Sequence, residues 1–278
     1  MNKLDIENVF IDLDGTALKN DKTISPKTLE IIENLKNINI NVFVATGRPP
    51  FMIKHELEQL KVNSNVICIN GGLIIDWDNQ KVINAELYNF DSSKKLRKYF
   101  IDNKIPYLIY TATDMLYDCD DNNIWINSLT KRINDSLPEH RWSLKKISET
   151  FVIEDNKIMK FLIPTHNING SVISNFRKWA KIEMPLFTLL ESQENILDII
   201  PINSSKGNGV RFIGDLMSLN LNKTIVFGDA ENDISMFEAV KYSVAMENAI
   251  NELKKVATHI TKSNNEDGIY HFIKDNIL

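Results

Sequence analysis

The sequence predicts an α/β protein, in which helices flank a parallel sheet and a smaller α+β unit is inserted into the chain. Two observations predict this class. Short apolar runs rich in Val, Ile and Phe each end in a polar cluster and lead into a helical stretch, an alternation typical of doubly wound sheets. The pattern stops in the middle of the 278-residue chain and resumes near Pro201.

Four strands carry polar residues at their carboxyl ends. Their segments are NVFIDLD (8–14), INVFVATGR (40–48), NVICINGG (65–72) and TIVFGDAEND (224–233). Continuous apolar runs of this length indicate strands buried on both faces. Because ligands bind at the carboxyl ends of the strands in open α/β sheets, we expect these polar residues to converge on one edge.

Helices are predicted between these strands. Ser25 can cap a helix that has Pro26 in its first turn, and Leu29, Ile32 and Leu35 then line one face. A second helix is predicted over 49–60, and a third begins near Asn208.

The middle of the chain has a different pattern. We expect a helix at 91–103, two strands within 106–118, further helices, a strand at 157–165, an amphipathic helix at 171–181, and a hairpin over 186–200 that turns near 192–195. The sequence thus predicts an α/β domain formed by residues 1–83 and 199–278, with an α+β unit inserted at 84–198.

Composition excludes several classes of protein. The net charge of −5 disfavours a nucleic-acid binder, which usually presents a basic face. No apolar run approaches the roughly 20 residues of a membrane helix, and the acidic N-terminus is unlike a signal peptide. We expect a cytoplasmic protein without nucleic-acid or membrane partners. Cys68 and Cys119 are expected to be reduced thiols, and the five histidines show no zinc-type spacing.

The strand ends suggest phosphate chemistry. Carboxylates meeting at one point repel each other unless a cation lies among them, and oxygen ligands without Cys or His favour Mg²⁺. Asp12 and Asp229 are the candidate ligands, while Thr46, the Thr46–Gly47 turn and Lys206 could hold phosphate oxygens. Asp12 could attack phosphorus, and Asp14 could donate a proton and later activate water.

Each motif also has a simpler interpretation. DLDGT could be a turn or a calcium loop, but the EF-hand spacing fails, because its Gly and Glu positions hold Ala17 and Thr23. Taken alone, ATGR could be an ordinary turn, Lys206 a solvated side chain, and GDAEND an acidic helix start. Their order along one chain favours a catalytic site.

The motifs Asp12–Thr16, Ala45–Arg48, Ser205–Gly207 and Gly228–Asp233 together resemble the haloacid dehalogenase (HAD) superfamily. More narrowly, the chain resembles Cof-type sugar phosphatases, which have a Rossmann-like core and a large α/β cap between the second and third motifs. Further similar segments are NGG (70–72), LDIIP (197–201), VAMENA (244–249) and SNNEDGI (263–269).

The resemblance implies a role for each motif residue. Asp12 would be the nucleophile and a Mg²⁺ ligand, Asp14 the general acid/base with its backbone carbonyl on the metal, and Asp229 a further metal ligand. Phosphate would be held by the Leu13 amide, Thr46, Gly47, Lys206 and Asn232. Supporting positions would be Arg48, Asn70 and Asp233. The chain departs from the branch at Glu247, where glycine is common, and at Ala230, where a polar residue is frequent.

The expected function is Mg²⁺-dependent hydrolysis of small phosphomonoesters through an aspartyl-phosphate. The expected partner is a small phosphorylated metabolite: a sugar phosphate, a nucleotide, FMN or pyridoxal phosphate. A phosphosugar mutase and a non-catalytic phosphate-binding protein are the alternatives. We expect a monomer or weak homo-oligomer, with substrate selection by the cap, where the candidate contacts are Tyr107, Tyr110, Thr111 and Thr113.

Overall fold

A computed structural model describes residues 3–120, 122–148, 151, 157–193 and 195–278. The strands are β1 (Asn8–Ile11), β2 (Asn41–Val44), β3 (Asn65–Cys68), β4 (Leu73–Asp76), β5 (Lys81–Ala85), β6 (Tyr107–Tyr110), β7 (Asp114–Asp118), β8 (Ser143–Lys146), β9 (Lys160–Pro164), β10 (Phe187–Gln193), β11 (Ile196–Pro201), β12 (Thr224–Gly228), β13 (Tyr242–Ala245) and β14 (His259–Ile260). The α-helices are α1 (Pro26–Asn37), α2 (Lys54–Leu60), α3 (Phe90–Asp102), α4 (Ile124–Asp135), α5 (Gly170–Glu183), α6 (Lys206–Met217), α7 (Ile234–Phe237), α8 (Asn251–Val256) and α9 (Gly268–Asn276).

The first compact unit comprises Met1–Arg48, His55–Asn84 and Ser204–Leu278. Its main sheet has the order β14-β13-β12-β1-β2, and every pairing in it is parallel. All residues of β1 and β12 are buried, as their continuous apolar runs predicted. The predicted parallel sheet is therefore confirmed, with β1 between β12 and β2.

Strand β3 departs in part from the prediction. It runs beside β2 through a parallel bridge between Ala45 and Ile67, but its ladder is antiparallel, with β4. The strands β3, β4 and β5 form a separate three-stranded sheet. The expected position of β3 beside β2 is therefore observed, with the Thr46 amide donating to the Ile67 carbonyl at 2.8 Å, but this contact is a single bridge and the ladder of β3 is with β4 on its other edge.

The helix predictions hold with small shifts. Ser25 caps α1 by accepting a hydrogen bond from the Thr28 amide at 3.1 Å. The helix predicted over 49–60 is divided into a 3₁₀ turn at Pro50–Met52 and α2. The helix expected near Asn208 begins at Lys206, with Ser205 as its cap.

The second compact unit comprises Pro49–Lys54 and Ala85–Asn203. Its six-stranded sheet has the order β10-β11-β9-β6-β7-β8, antiparallel except for β7 and β8. One side of the sheet packs against α3 and α5 around Phe161 and Phe176, and the other packs against α4 around Met115. The unit also includes residues 49–54 and 199–203, which the sequence pattern assigns to the α/β domain. Strand β11 pairs along its length with β10.

The predicted hairpin consists of β10 and β11, with an irregular register between Glu191 and Gln193. Its turn was expected near 192–195, where Glu194 lies outside the described residues. Among the helices of the described residues, none combines the length and the hydrophobicity of a membrane-spanning segment.

Two of the four expected substrate contacts hold the second unit together. Tyr107 is buried, accepts a hydrogen bond from Arg97 and donates one to Asp118, both at 2.8 Å. Thr111 closes the turn between β6 and β7 by accepting from the Asp114 amide at 3.0 Å.

A buried ion pair crosses this sheet from β9 to β11. Lys160 Nζ lies 2.6 Å from Asp198 Oδ2, and the two side chains are 3% and 0% exposed. The Lys160 ammonium also lies 5.0 Å from the centroid of the Tyr110 ring. A charge at this depth is tolerated only while its partner is present.

We predict that Lys160→Met destabilises the protein by about 3–5 kcal/mol, because the Asp198 carboxylate loses its counter-ion inside the sheet. Urea unfolding followed by tryptophan fluorescence would measure the change. The double variant Lys160→Met/Asp198→Leu should recover most of the loss. Lys145→Met, which breaks the exposed Lys145–Asp114 pair, should cost about 1 kcal/mol or less. An equal loss in both single variants would contradict the prediction.

Candidate active site

Residues that follow the strands of the first unit meet around one lysine. Lys206, in the first turn of α6, is 1% exposed. Its ammonium donates to Asp12 Oδ1 and to Asp233 Oδ1, each at 2.6 Å. Asp12 directly follows β1 and Asp233 follows β12, so the expected convergence of these residues is observed.

Asp12, Asp229 and Asp233 form a carboxylate cluster. One ligand atom from each lies within 4.8 Å of the other two. Burial, with the Asp233 carboxylate, raises the pKa of Asp12 to about 7, although the Lys206 charge acts in the opposite direction. Burial, with the charges of Asp12 and Asp233, raises the pKa of Asp229 to about 8. The cluster therefore has more negative charge than one ammonium can balance.

Backbone and hydroxyl groups fix the other sides of the cluster. The amides of Asp229 and Ala230 donate to Asp233 Oδ2 at 2.8 and 3.0 Å. Thr16 donates from Oγ1 to Asp229 Oδ1 at 3.0 Å. Gly15, with φ of 75°, allows this approach, because a Cβ there would overlap the Asp229 carboxylate. Asp229 is thus oriented from two directions.

Asp14 lies in an environment unlike that of Asp12. Arg48 donates to both Asp14 oxygens, from Nε and Nη2, each at 2.6 Å. Lys22 adds a third contact at 2.8 Å, and Arg48 Nη1 binds Glu56 at 2.7 Å. Burial would raise the pKa of Asp14, but the Arg48 and Lys22 charges outweigh it and hold that pKa well below its usual range. The carboxylate is therefore ionised in this arrangement.

A strained turn after β3 places the side-chain amide of Asn70 at the site. Ile69 and Asn70 have φ of 51° and 53°, unusual for residues other than glycine and rare for a β-branched one. The turn is held by the Asn70 amide, which donates to the Thr46 carbonyl at 3.0 Å. Asn70 Oδ1 accepts from Asn232 Nδ2 at 2.8 Å, and a Cβ on Gly47 would lie 2.8 Å from the same oxygen.

The remaining predicted residues lie beside these contacts. The hydroxyl of Thr46 accepts from the Arg48 amide at 3.2 Å and is 1% exposed. The side chain of Leu13 is buried, and its carbonyl accepts from the Leu18 amide at 2.8 Å. Every residue expected at the site therefore lies on the loops that follow β1, β2, β3 and β12 or at the start of α6.

Sequence reasoning missed Glu56, Lys22 and the contact of Thr16 with Asp229. Glu56 is 6% exposed on α2, where it holds Arg48. A single acid on the apolar face of a short helix, next to Leu57, was the available signal. Lys22 carried no signal, because its partner is determined only by the turn after β1.

Comparison with known proteins agrees with this geometry. Residues 9–273 match the family model of haloacid dehalogenase-like hydrolases. The chain belongs to the haloacid dehalogenase-like hydrolases. It is a phosphoric monoester hydrolase of this family, and the resemblance inferred from the motifs is confirmed.

Individual relatives cover almost the whole of this hydrolase. The 5-amino-6-(5-phospho-D-ribitylamino)uracil phosphatase YwtE of Bacillus subtilis is 28% identical, over 95% of this chain and 96% of its own. A haloacid dehalogenase-like hydrolase from Bacteroides thetaiotaomicron has the same fold, with a TM-score of 0.82, 20% identity, and coverage of 97% of this chain and 99% of its own. The subclass IIB sugar phosphatase BT4131 aligns with a TM-score of 0.81 and 21% identity, over 97% and 98% of the two chains.

We predict that Gly15→Ala lowers the phosphatase turnover number about a hundredfold, because the new methyl group displaces the Asp229 carboxylate. Steady-state hydrolysis of p-nitrophenyl phosphate would measure it. Gly170→Ala is the matched control, since a Cβ there meets no atom within 4 Å. Full activity of Gly15→Ala would show that the Gly15 turn does not position Asp229.

Proposed function

We propose that this hydrolase is a Mg²⁺-dependent phosphatase of small metabolites that works through an aspartyl-phosphate on Asp12. The contact of Lys206 with both Asp12 and Asp233, at 2.6 Å each, carries the proposal. It brings a carboxylate, a cation and further acidic oxygens together at the end of β1. A nucleophile for phosphorus and a charge for phosphate oxygens are then side by side.

In the proposed reaction, an Asp12 oxygen attacks the phosphorus and the ester oxygen leaves. Lys206, the Thr46 hydroxyl, the Asn232 amide and the backbone amides of Leu13 and Gly47 hold the phosphoryl oxygens. Asn70 supports Asn232 through their hydrogen bond at 2.8 Å. Donors fixed in advance stabilise the charge that develops in the transition state without reorganising during the reaction.

Asp14 donates a proton to the leaving oxygen and then takes one from the water that attacks the aspartyl-phosphate. Its ionised state beside Arg48 and Lys22 suits the second step. The first step requires the proton on Asp14, and therefore a looser contact with these cations. Arg48, which also binds Glu56, thus controls which form Asp14 takes.

The carboxylate cluster fits a magnesium ion. Asp12 and Asp229 offer oxygen ligands beside Asp233, with no Cys or His among the cluster residues. The Asp14 backbone carbonyl would be a further ligand, as the family resemblance implies. The buried Asn232 Oδ1 has no hydrogen-bond partner among the described residues, which leaves one more oxygen near the cluster. Bound there, Mg²⁺ would supply positive charge, which would keep the carboxylates ionised and offset the negative charge of the phosphate.

For the substrate we propose a phosphate ester on a polyhydroxylated carbon chain. YwtE is named for a phosphate ester of a ribityl chain and BT4131 for sugar phosphates, so both names refer to a phosphate on a polyhydroxylated carbon chain. The second unit is proposed to select among such esters. A panel of sugar phosphates, sugar-alcohol phosphates, nucleotides, FMN and pyridoxal phosphate would rank them, and product analysis with a hexose phosphate would reveal mutase activity.

We predict that Asp12→Asn lowers the turnover of p-nitrophenyl phosphate at least about a thousandfold, because an amide cannot attack phosphorus. The fold should persist, since an amide oxygen can still accept from Lys206. Circular dichroism would check this, and Asp102→Asn, which removes an exposed carboxylate, is the matched control. Undiminished hydrolysis by Asp12→Asn would refute the proposed nucleophile.

Removal of divalent cations with EDTA should abolish turnover, and added Mg²⁺ should restore it. Asp229→Asn should raise the Mg²⁺ concentration needed for half-maximal activity at least about tenfold, because a charged ligand is lost. Initial rates across a Mg²⁺ titration would measure this. Activity that survives exhaustive chelation would contradict the proposed metal dependence.

A further inference from the structure

Two asparagines near the C-terminal end of the chain bind the loop that follows β1. Asn248 Nδ2 donates to the Gly15 carbonyl at 2.8 Å, and the Asn264 amide donates to Asn248 Oδ1 at 3.0 Å. Both the amide nitrogen and the amide oxygen of the Asn248 side chain are therefore hydrogen-bonded. Because Nδ2 faces a carbonyl and Oδ1 faces an N–H, the orientation of the side-chain amide is fixed.

Asn264 extends this contact along the loop. It is 5% exposed, and its Nδ2 donates to the Leu18 carbonyl at 2.9 Å and to Asn20 Oδ1 at 3.1 Å. The loop after β1 is thus held at Gly15, Leu18 and Asn20. These contacts come from the segments VAMENA and SNNEDGI, which the reaction described above does not use.

The same short segment also holds the end of β12. The Ile250 amide donates to the Asp229 carbonyl at 2.9 Å, two residues after Asn248. Thr16, next to Gly15, donates to the Asp229 carboxylate. Residues 248–250 therefore bind both the loop that carries Asp14 and the backbone of Asp229.

We propose that Asn248 is a positioning residue for the phosphatase reaction, and this rests on the proposed function. Its amide fixes the Gly15 carbonyl and, through the Gly15–Thr16 peptide, the placement of Asp14 and Thr16 relative to Asp229. Asn248 touches none of the proposed reacting groups. Partners one step removed from catalytic groups commonly change activity by about 10–100-fold when they are lost.

The exposure of Asn248 makes the proposal testable. Asn248 is a solvent-exposed residue, so its replacement should leave the fold nearly as stable as before. If the Asn248–Gly15 hydrogen bond only anchors a surface loop, its loss would lower the unfolding temperature and leave the turnover number unchanged well below that temperature. If it positions the catalytic loop, its loss would lower the turnover number without a matching loss of stability.

The experiment compares Asn248→Ala and Asn248→Asp with the wild-type protein. Asp keeps the acceptor for the Asn264 amide but cannot donate to the Gly15 carbonyl. We expect kcat for p-nitrophenyl phosphate, at saturating Mg²⁺, to fall at least about tenfold in both variants. KM should change less than about threefold, because Asn248 holds no phosphate oxygen. Thermal unfolding should shift by only a few degrees.

Asn103→Ala is the matched control, because Asn103 is also exposed and donates from Nδ2 to a backbone carbonyl, that of Tyr99, at 2.9 Å. It should retain full kcat. Wild-type kcat in both Asn248 variants would overturn the inference, provided that Asp12→Asn is inactive as proposed. An equal loss in Asn103→Ala would also overturn it. A wild-type protein without Mg²⁺-dependent turnover would instead overturn the proposed function, and the inference with it.

Discussion

The site depends on one buried ammonium. Asp12 lies near the beginning of the chain, Lys206 comes directly after the second unit, and Asp233 follows β12. The contact of Lys206 with both carboxylates therefore joins three segments that are distant in the sequence. The Asp12 and Asp233 carboxylates hold the pKa of Lys206 above its usual value, although burial acts in the opposite direction. One ammonium cannot balance three carboxylates. Burial, together with the charges of the neighbouring carboxylates, raises the pKa values of Asp12 and Asp229.

Backbone conformations that cost free energy surround this contact. Positive φ at Gly15 lets the loop after β1 reach Asp229, and positive φ at Ile69 and Asn70 turns an amide side chain towards Asn232. Each strained non-glycine residue costs about 1–3 kcal/mol and persists only where its surroundings determine it. The hydrogen bond from the Asn70 amide to the Thr46 carbonyl is part of such surroundings.

The parts of this structure that sequence predicts are those encoded locally. The apolar runs of β1, β2 and β12 and the motif residues after them can be located without tertiary knowledge. Strand β5 could not, because its residues are exposed or half-buried and form no apolar run. The contacts of Glu56 and Asn248 could not be predicted either, since their partners Arg48 and Gly15 are brought to them only by the folded chain.

Asp12 and Asp14 show how surroundings divide the work between identical side chains. They are two positions apart, yet burial and neighbouring carboxylates raise the pKa of Asp12, while Arg48 and Lys22 lower that of Asp14. Such divergence of two carboxyl groups is the usual sign that they have different roles. In the proposed reaction, Asp14 carries a proton when the ester oxygen leaves and is ionised when water attacks the aspartyl-phosphate. Its contacts with Arg48 and Lys22 favour the ionised form, so the first step requires these contacts to loosen and the second is helped when they form again.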